Sequence, residues 1–447
     1  MHTLLLHPTD VLFFRDGRPM GGASSGHGTA WPLPNVLDAA FHGALHRANL
    51  QGVHGHHHRV GDETRGEDAR RFGSLVTAGP FPVCTQGAAH TWFFPRPLDG
   101  GVLMEKASTL LQPILDEGRG NSSLPAPLRY ATGSTVPPSK ESLAAWWSEG
   151  AWNAYLNTPP RDEPAGRPFF KRDSDFSDAE HTYGIGINPD TGTTGDGQFY
   201  SANYLRLREG WRLGAIAEAL DKDFRDQKHG NDLLRAALDR TANTLVLGGQ
   251  QRTASCEFSQ TPQPRLPLPS GKRDAFPQHR GRFLVKWVLL TPALWPVIGQ
   301  HQGGWLPSWI DHTDGQVMLK RGDQRRGPKE PRDAWRKRVQ DLQSVDARLV
   351  AAVVGKPLPV TGFALAHEAA GRTDGGAKST HVAVPAGSVY YFEAASEQAA
   401  ADLADALNWH GADRSCSTIR RRRSTLMGEK GFGIGVCGAW DFHPASL

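Results

Sequence analysis

The residue types best suited to bind a phosphate chain lie near the end of the sequence. Five glycines occur between positions 428 and 438, and the run Arg420–Arg423 precedes them. Repeated glycine permits backbone conformations that other residues avoid and lets a partner approach closely. A basic run beside such an open backbone favours contact with phosphate groups. On these residues alone, a glycine-rich turn before a strand, with solvated arginines, is the simpler interpretation.

Further basic residues lie where strands are predicted to end. Arg15 and Arg18 lie in a Gly- and Pro-containing loop after a short apolar run, and Arg252 follows a pair of glycines. Phe169–Phe170 precede Lys171–Arg172, so aromatic rings lie beside positive charge there. Single-stranded RNA is bound by stacking on aromatic rings combined with cationic contacts to phosphates. Together these residues make nucleic-acid binding as good an interpretation as core aromatics with solvated charges.

Histidines are the residues that could support catalysis or bind a metal. His54 and His56–His58 lie in a glycine-containing segment, where a solvated loop is the better interpretation because metal ligands need rigid support. His42 and His46 are spaced to share one helix face and could act as acid or base in a ribonuclease. The sequence contains no Walker loop, GxSxG or HExxH motif. We therefore expect no metal, no cofactor and a binding protein rather than an enzyme.

Composition indicates a cytoplasmic protein. The formal net charge of the 447 residues is +4, and the four cysteines are far apart with no CxxC pair. Widely separated cysteines indicate neither a zinc site nor a disulfide framework. The N-terminus lacks the pattern of a signal peptide, and no apolar run approaches membrane-spanning length. We therefore expect a soluble intracellular protein that is not bound to a membrane.

The elements that must position these residues are predicted from hydrophobic periodicity. Helices are expected at 35–50, 213–224, 231–240, 333–354 and 396–409. Strands are expected at 3–6, 244–254, 283–290 and 388–392, and a hairpin at 180–187 and 197–206, with the last strand in the glycine-rich segment.

This order of elements predicts an α+β protein with two β-α-β-β-α-β units, each a ferredoxin-like fold. The first unit, with insertions, is assigned to residues 1–260, and the second, with the glycine-rich loop, to residues 283–447. The Pro-rich and basic segment 261–282 is assigned as the linker between them. Several long insertions interrupt both units.

The sequence resembles the third-subunit family of the Cmr complex, the type III-B CRISPR RNA-guided effector, within the RAMP superfamily. The matching blocks run the length of the chain in family order: Asp10–Pro19, Trp31–Pro32, Tyr183–Ile187, Leu247–Arg252, Lys286–Pro292, Val384–Phe392 and Gly431–Trp440. The chain departs from the family at Gly362–Ala364, where the family tends to show Gly-Trp-Asp.

The resemblance implies a non-catalytic subunit with two ferredoxin-like (RRM-like) folds. It also implies a position at the 5′ repeat-derived tag of the guide RNA, with the large signal-generating subunit and a backbone RAMP subunit as partners in a hetero-oligomeric complex for antiviral defence. Carried over to this sequence, the candidate RNA contacts are Arg15, Arg18, Lys171, Arg172, Arg252, Arg421, Lys430, Gly431, Gly433 and Gly435.

Two alternatives remain open from the sequence. The first is a guide-processing endoribonuclease of the same superfamily, with His42 or His46 as the acid or base. The second is the equivalent subunit of another type III system, which would share the fold and differ in its partners.

Overall fold

The computed structural model describes most of the chain. The described residues are 1–15, 25–26, 31–50, 74–115, 124–137, 143–157, 169–188, 190–220, 231–259, 265–297, 303–322, 327, 330–364 and 376–444, with the backbone alone at 25–26, 195–200, 363–364 and 376–377.

The elements up to residue 258 form the N-terminal half. They are β1 (His2–Pro8), β2 (Ser25–Gly26), α1 (Pro34–Arg47), β3 (Val76–Gln86), β4 (Ala89–Pro95), β5 (Gly100–Leu103), β6 (Lys106–Thr109), β7 (Leu111–Pro113), β8 (Thr132–Ser134), β9 (Trp146–Ser148), α2 (Glu149–Tyr155), β10 (Phe170–Lys171), α3 (Asp173–Phe176), β11 (Ser177–Ile187), β12 (Thr194–Leu207), β13 (Trp211–Glu218), α4 (Leu233–Arg240), β14 (Thr244–Val246) and β15 (Thr253–Phe258).

The remaining elements form the C-terminal half. They are β16 (Gln278–His279), β17 (Arg282–Leu289), α5 (Arg332–Asp341), β18 (Ala347–Val353), β19 (Leu358–Val360), β20 (Phe363–Ala364), β21 (Gly376–Ala377), β22 (His381–Ala383), β23 (Val389–Ala394), α6 (Glu397–Leu407) and β24 (Gly435–Ala439).

The N-terminal half is built on a β-α-β-β-α-β unit. Its sheet has the order β10-β9-β4-β3-β13-β1-β15-β14. Within it, β1 is antiparallel to both β13 and β15, and β13 is antiparallel to β3. Helix α1 connects β1 to β3, and α4 connects β13 to β15. The first predicted ferredoxin-like fold is therefore confirmed, with β4, β9 and β10 extending its sheet.

The C-terminal half repeats the same sheet with one helix replaced. Strand β17 pairs antiparallel with both β23 and β24, and β23 pairs with β18. Helix α6 connects β23 to β24 and packs on the sheet through Leu403 and Leu407. Helix α5 holds the place of the first helix in chain order, yet none of its residues is buried. The sheet face beside α6 is covered instead by Leu306, Ile310 and Val317.

Helix α1 forms as its sequence predicts. Pro34 occupies its first turn, where the missing N–H costs no hydrogen bond. Leu37, Phe41 and Leu45 recur four residues apart, so they share one face, and all three are fully buried against the sheet. This face forms the helix-side core of the N-terminal half together with α4.

The two halves share a third core on the sheet faces that α1 and α6 leave open. Leu5 and Phe81 from the N-terminal half pack in one cluster with Val288 and Tyr391 from the C-terminal half. Residues of the predicted linker join this cluster, because Leu266 and Leu268 are buried in it. The segment is thus packed against the protein, while the division of the chain at 261–282 stays a prediction.

Three predicted elements are wrong. Residues 213–224 were expected to be helical, but 211–218 form β13, a buried strand between β1 and β3. The helix expected over 333–354 ends at Asp341, and Ala347–Val353 forms β18. Both strands are apolar runs, two of them rich in alanine, whose periodicity does not separate a strand from a helix. The strand expected over 244–254 is β14 and the start of β15, separated by a turn.

Candidate nucleic-acid interface

A long antiparallel hairpin, β11–β12, carries much of the candidate interface. Its register runs from Ser177 opposite Leu207 to Ile187 opposite Thr194. Leu12 forms an isolated bridge with Leu205 and exchanges two backbone hydrogen bonds of 2.8 Å with it. Strand β2 pairs in parallel with β12. The hairpin stem is therefore fixed to the segment that leads into the predicted Arg15–Arg18 loop.

The turn between β14 and β15 is held against the same segment. The backbone N–H of Gly249 donates to the carbonyl oxygen of Phe13 at 2.8 Å. Gly248 has φ of +83°, and a Cβ there would lie 2.5 Å from that same oxygen, so only glycine fits. The turn closes by a 2.8 Å bond from the Leu247 N–H to the Arg252 carbonyl. Two predicted contacts, Arg15 and Arg252, thus belong to neighbouring segments of one edge.

The side chain of Arg252 is positioned by an aromatic ring and a carboxylate. Its guanidinium carbon lies 5.0 Å from the centre of the Tyr204 ring, a cation–π distance. Its Nη1 lies 3.6 Å from Oδ2 of Asp10. The Tyr204 hydroxyl donates to Oε1 of Gln250 at 2.8 Å, which ties the ring to the turn. A half-exposed guanidinium beside an aromatic ring is suited to a phosphate and a neighbouring base.

The hairpin stem carries two more arginines, each paired with an acid. Nη2 of Arg206 lies 3.0 Å from Oδ1 of Asp10, and its Nε donates to Oε1 of Glu180. Arg208 donates two hydrogen bonds to Asp178, at 2.9 and 2.7 Å. These hydrogen bonds lower the pKa of the Asp178 carboxyl and raise the pKa of Arg208. All five side chains are exposed by 40% or more.

We call this region the hairpin edge, defined by the following residues of β12, β11 and the two segments packed against them: Asp10, Asp178, Glu180, Tyr204, Arg206, Arg208 and Arg252. Tyr204, Arg206 and Arg208 recur at every second position, which places them on one face of β12. This alternation is visible in the sequence and is the signal by which Arg206 and Arg208, which were not predicted, could have been found.

A cleft adjoins the hairpin edge between residues 7–10 and 206–212. It is lined by Arg206, Arg208, Arg212 and His7, among others. Burial and the nearby Arg212 guanidinium lower the pKa of His7. Arg212 donates to the Trp211 carbonyl at 2.9 Å, and no carboxylate of the described chain lies within ion-pair distance of it. The cleft is therefore a cationic surface next to Arg252.

Lys171 and Arg172 lie at the base of the hairpin. Lys171 ends β10 opposite Trp146, and the exposed Arg172 precedes α3, which runs directly into β11. Of the two neighbouring rings, Phe170 is buried and packs edge-on against Trp147, with ring centres 5.5 Å apart. Phe170 is thus a core residue and is not available for stacking on a base.

The glycine-rich segment lies in the interior, between the two halves. A Cβ on Gly431 would lie 2.9 Å from the Thr77 carbonyl, and one on Gly435 would lie 2.5 Å from the Trp287 ring nitrogen. Nζ of Lys430 lies 3.1 Å from Oδ2 of the buried Asp38. The interpretation of these residues as an open phosphate site is therefore wrong for the chain as the structure describes it. The partner that approaches Gly431, Gly433 and Gly435 closely is the protein's own chain.

The arginine run before that segment is also engaged within the protein. Nε of Arg423 donates to the Ala406 carbonyl at 2.7 Å, in the last turn of α6. Burial lowers the pKa of Arg422 to about 10 and of Arg423 to about 9. Arg421 is half-buried, and its backbone N–H donates to the Trp409 carbonyl at 3.0 Å. These guanidiniums support α6 and the seam between the halves.

Several predicted residues lie outside the described part of the chain. Arg18 is one of them, and so are His54 and His56–His58. His42 is described, and its Nδ1 lies 3.1 Å from the Asp38 carbonyl. Within the described ranges, no three His, Cys, Asp or Glu side chains are grouped as metal ligands would be. No helix in those ranges is both long and apolar enough to cross a bilayer.

Two ferredoxin-like units in one chain, with a cationic hairpin beside the first, define an α+β protein of the RAMP type. The model of the family described as CRISPR-associated protein (Cas_Cmr3) matches residues 4–440. The chain therefore belongs to this family, and the resemblance drawn from its motifs is confirmed.

Solved structures similar to this chain include two of a type III-B Cmr-beta complex. One is a cryo-EM structure bound to cognate target RNA and AMPPnP, with a TM-score of 0.35, 14% identity, and coverage of 87% of this chain and 86% of that chain. The other, bound to cognate target RNA, has a TM-score of 0.35, 13% identity and the same coverage. No curated protein matches the sequence.

Proposed function

We propose that this protein is the non-catalytic subunit of a type III-B CRISPR effector complex that binds the 5′ repeat-derived tag of the guide RNA. In this proposal it also bridges the large signal-generating subunit to the backbone RAMP subunits, in the cytoplasm, as part of antiviral defence. Family membership over residues 4–440 supports a role in CRISPR defence.

The observation that carries the RNA-binding part is the contact between Gly249 and Phe13. It fixes the Arg252 turn against the segment that ends at the exposed Arg15. Arg252 lies over Tyr204, so a cation and an aromatic ring are presented together. Phosphate contacts fix the register of a nucleic acid, while rings stack on its bases. Lys171 and Arg172 at the hairpin base, and Arg18 in the adjoining loop, complete the proposed surface.

The glycine-rich segment has no part in this proposal as an RNA contact. Because Gly431, Gly433 and Gly435 are buried, they offer an RNA strand little surface. Their proposed role is to join the two halves, so that the hairpin edge is presented from a rigid body.

Reconstitution with the large subunit and a guide RNA carrying the tag tests the proposal. The wild-type chain should form a stable complex, and the double variant Arg15→Ala/Arg252→Ala should bind the tag about tenfold or more weakly, with the salt dependence of log K flattened by about one unit. Arg348→Ala is the matched control, because Arg348 is also exposed and lies 3.5 Å from the acid Asp314. A double variant that binds like the wild type would remove this edge from the site.

The alternative of a guide-processing endoribonuclease is decided in the same preparation. Metal-free incubation with repeat RNA should leave the RNA intact. Specific cleavage that His46→Ala abolishes would favour the nuclease and contradict a non-catalytic role. Assembly with subunits of a different type III system, and not with those of a Cmr complex, would favour the second alternative.

A further inference from the structure

The arginines of the hairpin edge are neutralised by acids of the same chain. Arg206 contacts Asp10 and Glu180, Arg208 contacts Asp178, and Arg252 contacts Asp10. Three guanidiniums therefore face three carboxylates, and the formal charge of this group is zero. An RNA-binding surface ordinarily gains affinity from uncompensated positive charge. These acids therefore need a reason to be there.

Stabilisation of the fold is a weak reason. The carboxylates of Asp10, Asp178 and Glu180 are exposed by 54%, 51% and 41%. Exposed ion pairs contribute little to stability, because water and salt screen them and the side chains lose freedom in forming them. Their effect on an arriving polyanion is larger, since each phosphate must displace a carboxylate before it reaches a guanidinium.

One cation beside these pairs is not neutralised in this way. Arg212 lines the adjoining cleft, and its side chain donates to a backbone carbonyl. In the described chain it has no carboxylate within ion-pair distance. A strand can therefore be attracted at the cleft first, and it gains the paired arginines only if its phosphates follow the line of β12.

We propose that Asp10, Asp178 and Glu180 are specificity-determining residues of the RNA site. They hold three guanidiniums in place and neutral, so that a strand whose phosphates match the spacing of Arg206, Arg208 and Arg252 displaces them. A polyanion that attracts only by its overall charge gains nothing from these arginines. This inference rests on the proposed function, because it assumes that the hairpin edge binds RNA.

The test compares two RNAs of equal length, one carrying the 5′ tag and one of unrelated sequence, across a series of salt concentrations. In the double variant Asp178→Asn/Glu180→Gln, binding of the unrelated RNA should tighten about threefold to tenfold, as the removal of two exposed pairs allows. Its salt dependence should steepen by about 1.4 units of slope, since two guanidiniums become available to phosphates. Binding of the tagged RNA should change less than twofold.

Asp314→Asn is the control, because it removes an acid from Arg348 in the C-terminal half. It should leave both affinities unchanged. Equal tightening of both RNAs in the double variant, or no change in either, would overturn the inference. Should the double variant fail to fold, Asp178→Asn alone is decisive, because that side chain contacts only Arg208 in the described chain.

Failure of the inference is distinguishable from failure of the proposed function. Arg206→Ala/Arg252→Ala is measured with the tagged RNA in the same assay. If this variant binds like the wild type, the hairpin edge is not the RNA site and the proposed function fails there. If it loses binding while the carboxylate variants leave the discrimination between the two RNAs unchanged, only the inference about the acids fails.

Discussion

Two regions of this protein combine glycine with arginine, and they have opposite environments. At the 247–252 turn, Gly248 allows a close approach to Phe13 and leaves the Arg252 side chain half-exposed. In the 420–435 segment, the glycines allow a close approach between the two halves, and Arg423 is turned inward onto α6. Glycine has the same physical effect in both places. What differs is the surface that each segment meets, and that is decided by tertiary structure.

The largest expected effect breaks the buried side of this comparison. Gly433 has φ of +74°, and a Cβ there would lie 2.1 Å from the backbone nitrogen of Ser424. Gly433→Val should lower the free energy of unfolding by about 4 kcal/mol or more, through a backbone clash and left-handed strain. Thermal and denaturant unfolding measure it. Gly192→Ala is the control, because Gly192 has φ of +66° with open space around it, and it should cost only about 1–2 kcal/mol.

A comparable loss in Gly192→Ala would show that glycine matters here only for its φ angle. The close approach between the halves would then contribute nothing.

The next effect concerns a buried charge that also joins the two halves. Lys286 of β17 and Asp99 of the N-terminal half are fully buried, with Nζ 3.5 Å from Oδ2. Asp99 also accepts hydrogen bonds from the hydroxyls of Tyr155 and Tyr391. Burial lowers the pKa of Lys286 and raises those of both tyrosines. Asp99→Ala should therefore destabilise the protein by about 3–5 kcal/mol, since it leaves a buried ammonium unpaired.

Denaturant unfolding checks this value, with Asp314→Ala as an exposed acid for comparison. A loss below about 1 kcal/mol in Asp99→Ala would mean that the halves do not depend on this pair.

The smallest effects sharpen the comparison, because the two arginines should fail in different assays. Arg423→Ala removes two hydrogen bonds to the Ala406 carbonyl and should cost about 1–3 kcal/mol of stability, with tag binding by the folded protein unchanged. Arg252→Ala should weaken tag binding by about 1–2 kcal/mol with the melting temperature unchanged. Melting curves and RNA titrations on both variants check this. The reverse pattern would exchange the roles of the two regions.

Much of the fold was predictable because it depends on local patterns. The spacing of Leu37, Phe41 and Leu45 predicted α1, and the alternation in 180–206 predicted the hairpin. Strands β13 and β18 were not distinguished from helices, because they are apolar on both faces and take their conformation from pairing with neighbours far along the chain.

The candidate site was predictable only in part, for the same reason. Arg252 stands out beside its glycines, and Arg206 could have been found from the alternation on β12. No local pattern reveals that Lys430 lies 3.1 Å from Asp38, almost four hundred positions earlier. Burial of a glycine-rich segment is a long-range property, and the sequence of the segment alone favours an open loop equally well.

The most direct test of the account is photo-crosslinking of the tagged guide RNA in the assembled complex, with the crosslinked peptides identified by mass spectrometry. The account predicts crosslinks within residues 9–15, 177–212 and 247–252, and none within 428–435. Crosslinks concentrated in 428–435, with the hairpin edge unlabelled, would contradict it.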